Sequence, residues 1–275
     1  MAITKITTPE LFNLQSNNTE GTRLPVMTTT QREAMTGMSN GELIFNSTTD
    51  SVEYYDLGAT AWYKIDYDPI VYPTSLKMFL DASNTTSYPG SGTTWFDLTS
   101  NGNNGTISGA YWNPGGYFDF DGSNDGVTTT LGHSDLPVNS SWSCSCWINT
   151  DSYSSPTNVF GMEDGSSPYY GWSLYLATNG RIYIMVNGNS TVGYYVVTAG
   201  SWNFVTITYN GSLLSLYSDG SFVQSATTSI STPSSNFKLA NLGIYSPYDG
   251  KISKVRLHDK VLTQGEITIL NTEGR

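Results

Sequence analysis

Residues 201–223, SWNFVTITYNGSLLSLYSDGSFV, read as three short strands broken at Asn210-Gly211 and Asp219-Gly220. Val205, Ile207 and Tyr209 fall on one face of the first strand while Thr206 and Thr208 fall on the other. That is the period of two that an extended chain imposes. Asn-Gly and Asp-Gly supply the positive φ angles that two-residue hairpins need. The stretch predicts an antiparallel meander.

The same pattern runs outward from it. LKMFLDA, GYFDFDG, WSCSCWINT, NVFGM, GWSLYLA, RIYIMVN, YYVVTA, LANLGIY and KISKVRLHD are further strand candidates, all beyond Ser75. Clusters of Gly, Asn, Asp and Ser separate them at short spacing, the mark of a sandwich or barrel. Thr263-x-x-Glu266 ahead of Ile267, Ile269 and Leu270 predicts one short capped helix. No strand–helix–strand spacing appears, so the fold class expected is all-β.

Composition supports this and narrows function. Of 275 residues, 38% are hydrophobic, enough for a substantial core, and only 13% are charged. Long amphipathic helices would need more Glu, Lys and Arg. Twelve Lys and Arg against a net charge of −11 argue against nucleic acid, which demands clustered cations. An anionic membrane surface is disfavoured for the same reason. No run reaches the roughly 18 apolar residues of a membrane span, so membrane insertion is not expected. The opening MAITKITTPELFNL has no apolar core segment, so it does not read as a secretory signal. The Asn-x-Ser/Thr sequons at Asn46, Asn104 and Asn210 then read as by-products of an Asn- and Thr-rich composition. Cys144 and Cys146 share one strand face and read as two small buried hydrophobes. With only His133 and His258 besides, they cannot complete a zinc site.

The chain divides by composition. Residues 1–22 are polar and aperiodic and read as an arm or anchor. Residues 23–67 form a small helix-plus-hairpin module: Thr30-x-x-Glu33 marks a helix start, Gly37 its end, and GELIFN, SVEYYD and AWYKI three strands. Within DYDPIVYPT (66–74), whose two prolines mark a connection, the linker is 68–74. Residues 75–275 are the β-domain.

Four ordered blocks carry a resemblance: FDFDGSNDGVTT (118–129), SWSCSCWIN (141–149), SWNFVTITYNGSLLSLYSDG (201–220) and LGIYSPYDGKISKVRLHDKVLTQGEI (242–267). Residues 75–275 resemble the laminin-G-like, concanavalin A-like lectin/glucanase domain, and LDASNTTSYPGSGTTWFDLTSNGNNGTI (80–107) extends the likeness. The resemblance implies a two-sheet antiparallel jelly roll with aligned packing. The N-terminal module is similar to short modules of bacteriophage fibres and other virion appendages. The likeness rests on Leu24, Pro25, Thr29, Thr30, Gln31 and Arg32, then Gly41, Asn46, Thr49 and Asp50, then Trp62. It implies a virion structural protein, a fibre or capsid-decoration subunit on the particle surface. Such a subunit would be a homotrimer bound to other virion proteins through its N-terminal region. A purely structural bracing subunit without glycan binding is the alternative.

Sugar recognition uses aromatic faces and planar polar groups. The candidates are Tyr169, Tyr170 and Trp172 in SPYYGW and Tyr245 and Tyr248 in IYSPYDG, with host-surface glycan as the partner. With 19 Tyr in the chain, many aromatics must serve strand packing, and Tyr194 and Tyr195 in VGYYVV read so. No cofactor is required. Calcium, which the resemblance suggests, could be offered Asp121, Asp125 and Asp249, but it needs six to eight oxygens. The competing reading makes Asp121 and Asp249 turn-formers beside glycine. The Glu-x-Asp-x-x-Glu strand of the glucanases is absent. Glu163-Asp164, which would point opposite ways on a strand, precede a Gly-Ser-Ser turn and read as loop residues, and His133 and His258 read as structural or incidental. The chain is therefore not expected to be an enzyme.

Overall fold

A computed structural model describes residues 24–49, 51–64 and 74–275. The arm of 1–22, linker residues 68–73 and Asp50 lie outside the described residues. The chain divides into two compact units at Val71/Tyr72.

In the first unit, β1 (Val26–Met27), α1 (Thr29–Glu33), β2 (Leu43–Asn46), β3 (Ser51–Asp56) and β4 (Ala61–Lys64) follow in order. The strands form one sheet, β1-β2-β3-β4, with β1 parallel to β2 and the rest antiparallel. The helix start differs from expectation. Thr28, not Thr30, is the N-cap, and Gln31, not Glu33, completes the capping box. Arg32 then reaches Glu53 at 2.7 Å, and Glu53 also accepts from Asn46 at 2.9 Å and Thr49 at 3.1 Å. The motif residues Gln31, Arg32, Asn46 and Thr49 thus tie the helix to the sheet. Met27, Ile44 and Tyr55 are the unit's buried hydrophobics among the described residues. The register puts Val26, Leu43, Phe45, Val52, Tyr54 and Tyr63 on the opposite sheet face.

The second unit opens with β5 (Leu76–Asp81), β6 (Thr94–Trp95), β7 (Gly105–Ser108), β8 (Tyr111–Asn113), β9 (Tyr117–Asp121) and β10 (Gly126–Thr129). It continues through β11 (Ser141–Thr150), β12 (Thr157–Glu163), β13 (Gly171–Leu176), β14 (Arg181–Val186) and β15 (Asn189–Val196). It closes with β16 (Trp202–Asn210), β17 (Leu213–Ser218), β18 (Ser221–Thr227), β19 (Lys238–Leu239), β20 (Asp249–His258) and α2 (Gln264–Thr272). Two antiparallel sheets result, ordered β15-β14-β13-β12-β19-β10-β7-β6 and β18-β17-β16-β11-β20-β9-β8, with β5 also on β20. This is the expected all-β jelly-roll sandwich. Among the described residues no helix is long and apolar enough to cross a membrane.

The 201–223 meander forms as β16, β17 and β18. Asp219 and Gly220 both take positive φ, 49° and 77°, the two-residue turn expected. Asn210-Gly211 does not form one. Asn210 stays in the strand and its Oδ1 accepts from the N–H groups of Ser212 and Leu213 at 3.0 and 2.7 Å. The two-residue loop is Gly211-Ser212 instead, with Gly211 at φ 94° in its first position and the Asn210 side chain bracing it. LANLGIY also differs: only Lys238–Leu239 pairs, and the chain leaves the sheet after Ala240.

Val205, Ile207 and Tyr209 enter the core between the sheets as expected, and Trp142 and Trp172 stack across it at 4.3 Å. Cys144 and Cys146 are free and buried there, and burial pushes both thiols up. Thr206 and Thr208 are buried as well. On their side Phe204, Leu262 and Ile267 make a second core with Trp147, Tyr217 and Leu270. The helix α2, capped by Thr263 and Glu266 as the sequence predicts, supplies Ile267 and Leu270 to that layer.

Candidate functional site

The connection between β12 and β13, residues 164–170, is held at three places. Glu163 pairs with Gly171 in register, the Asp164 N–H donates to the Tyr170 carbonyl at 2.9 Å, and the Tyr170 N–H donates to the Pro168 carbonyl at 2.9 Å. Gly171 is obligatory: at φ 107° an added Cβ would lie 2.0 Å from the Met162 carbonyl oxygen. Asp164 binds this loop to a segment 70 residues further on. Its Oδ1 accepts from the N–H and hydroxyl of Ser234, both at 2.9 Å, and from those of Ser235 at 3.0 and 3.1 Å.

Between the two segments lies an open groove of about 360 Å³, lined by Asp164, Ser166, Ser167, Tyr170, Ser234 and Ser235 among others. Tyr170 stands 42% exposed at its edge. Tyr169, 40% exposed, points to the other side, with its Cβ about 3.1 Å from where Gly188 would carry one. Tyr245 is exposed too, but it meets Tyr175 edge-on at 5.0 Å, and Tyr175 lies 6.1 Å from Tyr183. The contacts therefore place Tyr170 at the groove and Tyr245 in a separate tyrosine row on the same sheet.

Two of the five aromatic candidates are corrected. Trp172 is fully buried against Trp142. Trp172 lies inside β13, whose residues are buried apart from the half-buried Tyr175, whereas Tyr170 lies just ahead of the strand in the connecting loop and is left exposed. Tyr248 is also fully buried, with its hydroxyl 3.1 Å from Thr150 Oγ1. Neither ring can meet a sugar.

Glu163 is not a loop residue. It ends β12, is 2% exposed and accepts from Ser173 at 2.5 Å and Asn158 at 3.2 Å. Burial raises its pKa against the opposing pull of Ser173, the Gly188 N–H and Asn158. Asp164 is the loop residue expected: Glu163 at the strand end is sealed in, and Asp164 beside it faces the groove. Asp164, Ser234 and Ser235 escaped the sequence reading because only folding joins positions so far apart. The runs Asp-Gly-Ser-Ser and Pro-Ser-Ser were the available signal.

The oxygen-rich loops hold internal turns. Asp121 Oδ1 accepts the Ser123 N–H at 2.9 Å, Asp125 Oδ2 accepts the Asp121 N–H at 3.1 Å, and Asp249 Oδ2 accepts from Ser152 at 2.6 Å. Asp121 and Asp249 lie opposite each other across β9 and β20. Among the described residues no three His, Cys, Asp or Glu side chains gather as metal ligands would. His133 Nδ1 accepts the Val138 N–H at 3.2 Å, a loop brace. His258 is 5% exposed with no hydrogen-bond partner at either ring nitrogen.

Residues 121–268 match the family model described as the concanavalin A-like lectin/glucanases superfamily, which leaves the N-terminal unit outside the match. No curated protein matches the chain. Among solved structures, Trypanosoma rangeli sialidase in complex with sialic acid is similar at 16% identity and TM-score 0.58. That alignment covers 73% of this chain and 33% of the sialidase. A second T. rangeli sialidase structure, with the inhibitor DANA, aligns at 12% identity and TM-score 0.59, over 85% of this chain and 45% of that one. The binding domain of botulinum neurotoxin DC, in complex with rat synaptotagmin II, aligns at 18% identity and TM-score 0.54, over 72% and 51%. The chain spans about a third to a half of these proteins. The expectation that the chain is no enzyme is corrected by the sialidases: enzymes carry this fold, so lacking the Glu-x-Asp-x-x-Glu strand does not exclude catalysis.

Proposed function

The chain belongs to the concanavalin A-like lectin/glucanases superfamily, and from that premise we propose that its second unit binds carbohydrate at the Tyr170 groove. The observation that carries this is the groove itself, where an exposed aromatic ring stands beside a carboxylate and serine hydroxyls. A tyrosine face suits the apolar C–H face of a pyranose, and fixed polar groups orient its hydroxyls. The groove is open and shallow, so one copy binds weakly. Several copies held together gain orders of magnitude through effective concentration. This reading requires no cofactor.

The same proposal puts the chain on the surface of a phage particle as a fibre or capsid-decoration subunit. It would be joined to other virion proteins through its N-terminal region and assembled as a homotrimer. Its supports are the N-terminal sequence likeness and the first unit's sheet. Val26 and Tyr63 on the face away from α1 are 69% and 43% exposed, and so small a sheet with one covered face is marginal alone. Another copy of the chain would cover that face. Light scattering on the full chain, with titration of cell-surface glycans against wild type and Tyr170→Ala, tests both parts. A trimer that loses glycan binding in the variant supports them. A monomer removes the avidity, and binding unchanged in Tyr170→Ala removes the groove.

A further inference from the structure

We infer that the Tyr170 groove selects neutral sugars and turns acidic ones away. This rests on the glycan reading above and adds the class of ligand. The groove's charge at neutral pH is the single carboxylate of Asp164, and no Lys, Arg or His lines it. Lys238, opposite Gly161 in the neighbouring strand, is not among the lining residues.

The hydrogen bonds make the groove an acceptor surface. The hydroxyls of Ser234 and Ser235 both point their protons at Asp164 Oδ1, so their oxygens offer lone pairs to anything in the groove. Asp164 Oδ1 is occupied by these donors, which fixes the plane of the carboxylate and leaves Oδ2 to a ligand. A hexopyranose hydroxyl can donate to such groups, and a bond to an ionised acceptor is the stronger kind. A sugar carboxylate has no proton to give at neutral pH, and it would meet Asp164 as a like charge with no cation to offset it. The chain's net charge of −11 adds a weaker repulsion at low ionic strength.

The test is saturation-transfer NMR on the full chain at low ionic strength. The neutral methyl glucoside, galactoside and mannoside are compared with glucuronic acid and N-acetylneuraminic acid. At least one neutral hexoside should bind at millimolar concentration, with both acids weaker by roughly tenfold or more. Asp164→Asn should weaken the hexoside and narrow the gap to the acids. An acid that binds within that factor of the best hexoside overturns the selectivity and leaves glycan binding standing. Saturation transfer to none of the five sugars overturns the glycan reading and the selectivity with it. Hexoside binding unchanged in both Asp164→Asn and Tyr170→Ala overturns the placement in this groove. The neutral-against-acid comparison is made on the wild-type protein, so it stands even where a variant fails to fold.

Discussion

His258 ends β20 opposite Ser143 of β11, 5% exposed and without a partner at Nδ1 or Nε2. Burial, with help from the nearby charges of Arg256 and Lys260, lowers its pKa from the ordinary 6.5 to about 4, against a smaller pull upward from Glu266 and Asp259. A histidine that resists protonation in the native state binds fewer protons there than in the unfolded chain. Stability is therefore intact above the unfolded pKa and falls as the pH drops from about 6.5 toward 4. The loss works out to about 2 kcal/mol at pH ~5 and about 3 kcal/mol at pH ~4. His258→Phe removes the titrating group, and the unpaired ring nitrogens go with it, a gain of about 1 kcal/mol already at neutral pH. Urea denaturation of both proteins across this range gives the comparison. Glu266, held down to about 2 by Lys260 and by the Thr263 N–H, contributes stability above its ordinary 4.5 that fades below it. It does so in both proteins and cancels in their difference. Wild-type and His258→Phe curves that stay parallel from pH ~7 to ~4 would refute the buried neutral imidazole.

Trp172→Phe should cost roughly 2 kcal/mol and weaken the near-ultraviolet signal of the Trp142–Trp172 stack while glycan binding is unchanged; lost binding with unaltered stability would return Trp172 to the surface. Gly220→Ala should destabilise by about 1 kcal/mol in urea, because its φ of 77° strains any side chain; a neutral result would reject the two-residue turn. Arg32→Ala leaves Glu53 buried with its remaining partners, Asn46 and Thr49. It should cost about 3 kcal/mol in the first unit, seen as an earlier transition in calorimetry, and an unchanged first transition would show the pair to be incidental. Glu163→Gln removes a carboxylate whose pKa burial raises. The stability lost by wild type as pH rises above about 4.5 should therefore be absent from the variant, and identical profiles would place Glu163 in solvent.

Local sequence determined most of the strands. Alternation at Val205, Ile207 and Tyr209, the Asp219-Gly220 turn and the Thr263–Glu266 cap all act within a few residues, so they can be read without knowing what packs nearby. Short pairings such as β6, β8 and β19 carry too little pattern to stand out and exist because a neighbouring strand completes them. The two faces of β16 also needed the fold: threonine at 206 and 208 suits an exposed face as well as one covered by α2, and only the docked helix decides. The candidate site shows the same division. Tyr169, Tyr170 and Tyr245 lie in connections and are exposed. Trp172 in β13 and Tyr248 in the connection ahead of β20 have the same chemistry and are buried, because burial depends on what packs over each position. Asp164 becomes the centre of a groove through Ser234 and Ser235, which arrive from 70 residues away. Periodicity and turn chemistry are properties of neighbouring residues, so the chain alone fixes them. A binding surface is made by distant segments meeting, and that meeting is settled when the two sheets pack.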